Sequence, residues 1–379
     1  MTKLKTCVYA ISKNEEKHAE RFMEANRDAD YVVVCDTGST DNTVPLLKKL
    51  GATVYEIGVN PWRFDLARNT SLSLVPMDVD MCLAIDIDEV LQPGWRDALQ
   101  KSWDEHNGNI HRLYYTYVWN WNEDGTPGTV FHSDKIHHRK NYRWRHHCHE
   151  TLYYEGTDPE IKILVPGIDL HHHADITKSR GNYLPLLERG VAEEPQNDRN
   201  RYYYARELMF YEQWEKAVEH FQIHLNLPNS TWREERSSSM IYMSRCYTNL
   251  NKGDLANEWA LKATMEMPSI RETWLALARV GYQNKDWATT YYAAIKCLSI
   301  PTRTMSHVGE SASWGSEPHD LAALGAWYLG LPDAAKKHGL DALEISPTDP
   351  RLRNNCVLMD VGEDTINAVI EASKNKKGA

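Results

Sequence analysis

Four short apolar runs, at residues 5–11, 30–35, 52–57 and 81–85, alternate with stretches whose apolar residues recur at helical spacing. Few folds satisfy that order. Continuous apolar strands separated by helices demand a mostly parallel sheet covered on both faces, because each strand must bury both of its sides. The intervening stretches, 14–27, 43–50 and 63–74, predict helices, the second stopping at Gly51. In such sheets ligands bind beyond the carboxyl ends of the strands, so the residues that follow each run are the ones to inspect.

The pattern then changes twice. Residues 111–122 alternate, with Leu113, Tyr115, Tyr117, Trp119 and Trp121 on one face. Glu123, Asp124 and Gly125 mark a turn, and 129–132, 135–140 and 141–144 read as further strands. An antiparallel, aromatic-rich meander is predicted. From about residue 197 the period is helical to the end. Four segments share a loose template of a helix pair closed by proline, at Pro228, Pro268, Pro301 and Pro347, with spacings of 40, 33 and 46. The middle spacing and the order of small and aromatic residues resemble the tetratricopeptide family.

Two acidic motifs stand at strand ends. Asp36-Thr37-Gly38-Ser39-Thr40-Asp41 follows the second run. A carboxylate there can accept hydrogen bonds from a base or a ribose, while Gly38 permits close backbone approach; a plain strand–turn–helix junction with an Asx turn accounts for the same residues. Asp86-Ile87-Asp88-Glu89 closes the fourth run. In an extended chain Asp86 and Asp88 point to one side, and paired hard oxygens suit Mg²⁺ or Mn²⁺ held together with a diphosphate. A second Asp-x-Asp, Asp78 and Asp80, precedes its strand, and topology demotes it to a solvated loop.

Taken in order, Ile11-Ser12-Lys13-Asn14-Glu15, the 36–41 motif, Ala67-Arg68-Asn69 and the 86–89 motif resemble the nucleotide-sugar half of family 2 glycosyltransferases with the GT-A fold. The resemblance covers about the first 95 residues. It implies an α/β fold with a GT-A domain at 1–178 (a nucleotide-sugar half at 1–108 and an acceptor half at 109–178); the helical period and proline template place a linker helix at 179–199 and tetratricopeptide-like helical repeats at 200–373, and a disordered tail is expected at 374–379. The resemblance places Ile11, Asn14, Glu15, Asp36, Arg68 and Asp86 around the donor: Asp36 at the nucleobase, Asp86 near the ribose and metal, Arg68 stabilising the donor or buttressing the acidic site. Asp88 would ligate the metal that bridges the diphosphate. UDP-sugar is the donor the family implies.

The likeness continues in Tyr142-Arg143-Trp144 and His149-Glu150, which resemble a Y-R-W…H-E stretch of soluble family members. In an inverting transferase a carboxylate or His beside the acceptor removes a proton from the attacking hydroxyl. Glu150 is expected in that role, with His149 orienting it; Glu89 is the rival. His171-His172-His173 follows another strand end, and GT-A enzymes often add a His to the acidic pair as a metal ligand. Alternation leaves the ligand open, His173 being preferred to His171. The segment 132–149 is locally basic, with Lys135, Arg139, Lys140, Arg143 and Arg145, and suits a phosphate of the donor or an anionic acceptor. The aromatic strand at 113–121 is expected to offer a sugar-stacking surface.

Charge and composition bound the alternatives. Lys plus Arg is 43 against 53 Asp plus Glu, a net charge of −10, which disfavours a generic nucleic-acid coat and leaves nucleic acid a minority acceptor beside glycan and protein. The opening residues run straight into a strand, unlike a secretory signal. Seven cysteines without C-x-x-C spacing suit a reducing, cytoplasmic setting. The 13 Trp and 20 Tyr against 5 Phe fit helix packing or stacking on sugars. A nucleotidyltransferase would need a Gly-rich loop after the first strand, where this chain has none. A hydrolase leaves Asp36 unexplained, and a scaffold with a vestigial sugar domain leaves the intact motifs unexplained. A homodimer through the repeats is open.

Overall fold

The structure is a computed structural model that describes residues 3–122, 125–175, 181 and 183–377. Contacts divide the chain into two units, one reaching Glu193 and including Met305–His307, the other made of Glu194–Thr304 and the residues from Val308 onward.

The first unit runs β1 (Thr6–Ser12), α1 (Glu16–Ala25), β2 (Tyr31–Asp36), α2 (Thr43–Lys49), β3 (Thr53–Glu56), α3 (Phe64–Ser73), β4 (Met81–Ala84), β5 (Glu89–Leu91), α4 (Trp95–Glu105), β6 (Arg112–Val118), β7 (Val130–His138), β8 (Tyr142–Arg145), β9 (Thr151–Tyr154), β10 (Lys162–His172) and α5 (Tyr183–Glu193). Its main sheet has the order β3-β2-β1-β4-β7-β6-β10-β5. The first four are parallel; β7 is antiparallel to β4 and β6, β10 is parallel to β6, and β5 is antiparallel to β10.

Within the parallel half, β1, β2 and β4 are buried on both faces, which is why they are continuously apolar; β3, at the sheet edge, is largely exposed. Val8, Ala10, Val34, Leu83 and Ile85 pack with Phe22 of α1, Leu47 of α2 and Trp95 and Leu99 of α4. The alternate residues Cys7, Tyr9, Val33, Cys82 and Ala84 pack with Leu72 of α3 and with Trp144 and Leu152. Burying one ring such as Phe22 stabilises by about 2 kcal/mol. The α2 stop is as expected: Gly51 is left-handed (φ 103°), and Gly51 and Ala52 donate to the carbonyls of Lys48 and Leu47 in a Schellman motif.

The meander is corrected. Residues 130–138 form one strand rather than two, and β8 leaves the sheet to pair only with β9. Tyr142 and Trp144 of β8 are buried against the face that β1 and β4 share, so burial decides their place instead of sheet hydrogen bonding. Glu123 and Asp124 of the expected turn lie outside the described residues.

The second unit is helical: α6 (Asp198–Phe210), α7 (Trp214–Asn226), α8 (Arg233–Asn249), α9 (Gly253–Glu266), α10 (Arg271–Gln283), α11 (Trp287–Leu298), α12 (Glu317–Tyr328), α13 (Pro332–Ile345), α14 (Pro350–Leu358) and α15 (Glu363–Lys377). These make five consecutive pairs where the sequence template marked four. Each pair is joined through one left-handed residue: Glu212, Asn251, Lys285, Gly330 and Asp360 in turn, with φ between 57° and 73°. The residue after each donates to the carbonyl five positions back, at Leu208, Tyr247, Gly281, Ala326 and Cys356. The expected 179–199 linker divides: α5 belongs to the first unit, and Asp198 already opens α6. Residues 179, 180 and 182 lie outside the described residues. The expected tail is helical through Lys377, and 378–379 lie outside the described residues.

Candidate active site

The acidic motif 86–89 closes on itself. The Asp86 N–H donates to Glu89 Oε2 (2.8 Å), and the Glu89 N–H donates to the Asp86 carbonyl (2.9 Å). This turn sits at the carboxyl end of β4, central in the sheet, and α3 reaches it from one face. Arg68 of α3 places its Nη2 2.8 and 3.0 Å from the two Asp86 oxygens and pairs through Nε with Glu150. Lys135 of β7 lies 3.5 Å from Asp86 and 3.3 Å from Glu89. Burial opposes ionisation of Asp86, yet Arg68 and Lys135 hold its carboxyl well below the usual range. The same carboxylates raise both cations above their ordinary values against the cost of burial.

The motif 67–69 therefore works in two directions. Arg68 faces the acidic turn, while the Asn69 amide brackets Trp144 of β8, accepting from its N–H and donating to its carbonyl, both at 2.9 Å. The Arg68 guanidinium lies over the Trp144 ring at 5.1 Å. Trp144 Nε1 donates to Tyr9 (2.9 Å), which fixes the ring in turn. Tyr142-Arg143-Trp144 thus carries Glu150 to the acidic turn by docking on α3. Just after β8, His149 takes a left-handed φ of 54° and faces Tyr183 at 5.8 Å.

His172, rather than His173, faces the second carboxylate. In β10, His172 is paired with Glu89 of β5, and its Nε2 lies 3.4 Å from the Asp88 carboxylate. His173 meets Asp88 only through its backbone N–H (3.0 Å), its ring stacking near Trp121. His171 packs edge-on against Trp121. Alternation separated the three correctly but could not tell which side Asp88 occupies; that depends on β5, which sequence reading missed. His172 Nδ1 is 2.9 Å from the Trp119 carbonyl, which can only accept, so Nδ1 carries the proton. The lone pair of Nε2 then faces a carboxylate, and either a second proton or a cation must lie between them. Burial lowers the proton affinity of His172, but Asp88 raises it above the ordinary value.

Three carboxylates, Asp86, Glu89 and Glu150, thus meet two cations, Arg68 and Lys135, while a fourth, Asp88, meets only His172. The surplus of negative charge lies at Asp88, since the other three are paired. Asp88 and His172 fit one side of a divalent cation held by a backbone-anchored imidazole and a hard oxygen. Asp86 is not part of a ready-made ligand set: among the described residues, Asp86, Asp88 and the His run form no group of three ligand atoms all within 4.8 Å.

Asp36 is corrected. It is only 2% exposed, and its oxygens accept from Ser12 Oγ (2.9 Å), the Gly38 N–H (3.0 Å), the Ser39 N–H (2.8 Å) and Ser39 Oγ. Against burial, these bonds hold its carboxyl below the ordinary value. Its two oxygens accept four donors of its own loop and of Ser12, the arrangement of an Asx turn. Asn14 serves the same loop: its N–H donates to Ser39 Oγ and its Oδ1 accepts from the Thr40 N–H, both at 2.8 Å. The Glu15 N–H donates to Thr43 (2.7 Å), and Ile11 sits within β1 opposite Cys35.

Other expectations are redistributed. Leu113, Tyr115 and Tyr117 lie in the core at 0, 0 and 3% exposure and offer no stacking surface. Tyr117 instead donates to Glu89 Oε1 (2.6 Å). Trp119, 48% exposed and stacked on His172 at 4.5 Å, is the aromatic left open beside Asp88. The basic segment is no single phosphate patch: Lys135 serves the acidic turn, Arg139 donates to the Val75 carbonyl, and Arg145 pairs with Glu155. Arg139 and Lys140 line a cavity of about 390 Å³ with Asn69, Leu72 and Tyr142, apart from the carboxylates. Asp78 and Asp80 bind Lys5 and anchor the start of β1. Sequence reading assigned Lys135 to phosphate; only its position on β7 beside β4 could have shown it as the counter-ion.

Comparison with known proteins gives a partial likeness. No family model matches the chain. It is 32% identical over 111 residues to an uncharacterized glycosyltransferase of Rickettsia typhi, covering 29% of this chain and 37% of that protein. One from Rickettsia conorii is 30% identical over 111 residues (29% and 38%), and one from Rickettsia bellii 28% over 128 (34% and 42%). The chain therefore spans less than half the length of these curated relatives. Among solved structures, the Cut9–Hcn1 complex of APC/C covers 52% of the chain and 36% of its own, at 14% identity and a TM-score of 0.39. YrrB, a TPR protein with an unusual peptide-binding site, covers 50% and 92% at 11% identity and a TM-score of 0.38. No described helix is long and apolar enough to cross a membrane.

Proposed function

We propose that the chain is a glycosyltransferase whose first unit is a GT-A domain of family 2 type, moving a sugar from a nucleotide-diphosphate donor, UDP-sugar by preference, to an acceptor hydroxyl with inversion. One observation carries the reading: three carboxylates gathered on two cations at the carboxyl end of the sheet's parallel strands, with the uncompensated charge at a fourth, Asp88, beside His172. The strand order and the named Rickettsia relatives support it.

Asp88 and His172 would hold Mn²⁺ or Mg²⁺, which when bound neutralises the leaving diphosphate. Arg68 and Lys135 fix Asp86 and Glu89 and keep the turn from opening under its own repulsion. Glu150 accepts the proton of the attacking hydroxyl as its oxygen bonds to the anomeric carbon; the bond from that carbon to the diphosphate breaks and its electron pair leaves with the phosphate. Glu89 is unsuited to that task, being 1% exposed with Tyr117, Lys135 and the Asp86 N–H on its oxygens. Trp119 offers a ring face for a sugar beside Asp88.

The test is release of nucleoside diphosphate from a panel of nucleotide sugars with Mn²⁺. The wild type is expected to release it from one of them and Asp88→Ala to lose that activity; equal rates in both would remove Asp88 from the reaction.

A further inference from the structure

In the helical unit, two imidazoles and a carboxylate converge away from the carboxylate turn. His319 lies in the first turn of α12, and His338 and Asp341 lie three residues apart on α13. The Nδ1 atoms of the two rings are 3.2 Å apart. Asp341 Oδ2 stands 3.5 Å from His319 Nδ1 and 3.8 Å from His338 Nδ1. It is the one group of three or more His, Cys, Asp or Glu ligand atoms, among the described residues, that lies wholly within 4.8 Å.

Three electron-pair donors share this spot. A proton on one ring can bridge the two nitrogens, but the carboxylate is too far from either for a good hydrogen bond. A tetrahedral cation with bonds of about 2.0–2.1 Å sets its ligands about 3.3 Å apart, close to all three separations. The side chains are 22, 13 and 35% exposed, which leaves one side open to water as a fourth ligand.

We propose that His319, His338 and Asp341 form a divalent transition-metal site, suited to Zn²⁺, that clamps α12 to α13. Two nitrogens and one oxygen favour a borderline ion over Mg²⁺ or Ca²⁺. The clamp is independent of the sugar-transfer reading.

The full chain is titrated with ZnCl₂ by calorimetry, alongside Asp88→Ala, His338→Gln and Asp341→Asn. Asp88→Ala, which lacks the other proposed cation site, is expected to bind one equivalent, and the affinity of that equivalent is expected to fall at least about tenfold when His338→Gln or Asp341→Asn is added. Should His338→Gln not fold, Asp341→Asn, changed at a third-exposed carboxylate, decides alone. Absence of Zn²⁺ binding in the wild type, or unchanged affinity in a folded variant of the pair, overturns the site.

Discussion

At the scale of the residue, Arg68 decides how the acidic turn behaves. Its guanidinium is shared between Asp86 and Glu150, so it both neutralises the turn and delivers Glu150 to it. Glu150→Gln keeps an oxygen for Arg68 but cannot take a proton. Donor affinity is expected to stay near wild type while transfer falls by about 100-fold or more; steady-state rates and calorimetry on the same preparation check the split. His137 gives a second prediction. It is fully buried; Nδ1 lies 2.8 Å from the His138 carbonyl and so donates, leaving Nε2 to accept from Tyr9 at 2.8 Å. Burial pushes its pKa from 6.5 down to about 3. The unfolded chain then takes up the proton first. Stability is full above about pH 6.5 and falls as pH drops toward 3, by up to about 1.4 kcal/mol per unit from this residue. Denaturant midpoints between pH 7 and pH 5 should show a steeper loss in wild type than in His137→Gln; parallel slopes would mean that the imidazole charges freely.

At the scale of the element, the helix pairs are held by close backbone approach. A Cβ on Gly281 of α10 would stand 2.8 Å from the Thr290 nitrogen of α11. Gly281→Ala is therefore expected to lower stability by about 1–3 kcal/mol, read as a shifted urea midpoint, although alanine is the better helix former. An unchanged midpoint would mean that α11 yields at no cost. The five turns explain what the sequence could and could not tell. Their geometry repeats, but Glu212, Asn251, Lys285, Gly330 and Asp360 share no side-chain chemistry, so only the prolines after the first four pairs were visible, and variable loops made their spacing irregular. In the sheet, β1, β2 and β4 were legible because both their sides are apolar, and the largely exposed edge strand β3 only from its place in the strand–helix order. β5 and most of β10 were not: three residues of β5 carry no period, and β10 contains Pro166 and Gly167 with a register shift between Leu164 and Asp169. Those two strands set which histidine meets Asp88.

At the scale of the whole molecule, the described core clusters each lie within one unit, the sheet with its helices in one and the helix pairs in the other. The net charge of −10 does not decide what binds, since the acidic centre and the basic residues of 132–149 lie in the same unit. The residues that form the centre were legible as motifs, and the pairing among them was not. Asp36 and Asp86 look alike in sequence, each an acid after an apolar strand. Asp36 turns back onto its own loop while Asp86 meets Arg68 and Lys135 from elements distant in the chain. The central claim is that the Asp88 side of this centre holds a cation together with a nucleotide diphosphate. Calorimetry of the full chain with UDP tests it most directly, with Mn²⁺ and with EDTA, in wild type and Asp88→Ala. Binding that requires Mn²⁺ and disappears with Asp88 is the predicted result. Binding that is the same in EDTA and in Asp88→Ala, or none in wild type for UDP or any other nucleoside diphosphate, would contradict the account.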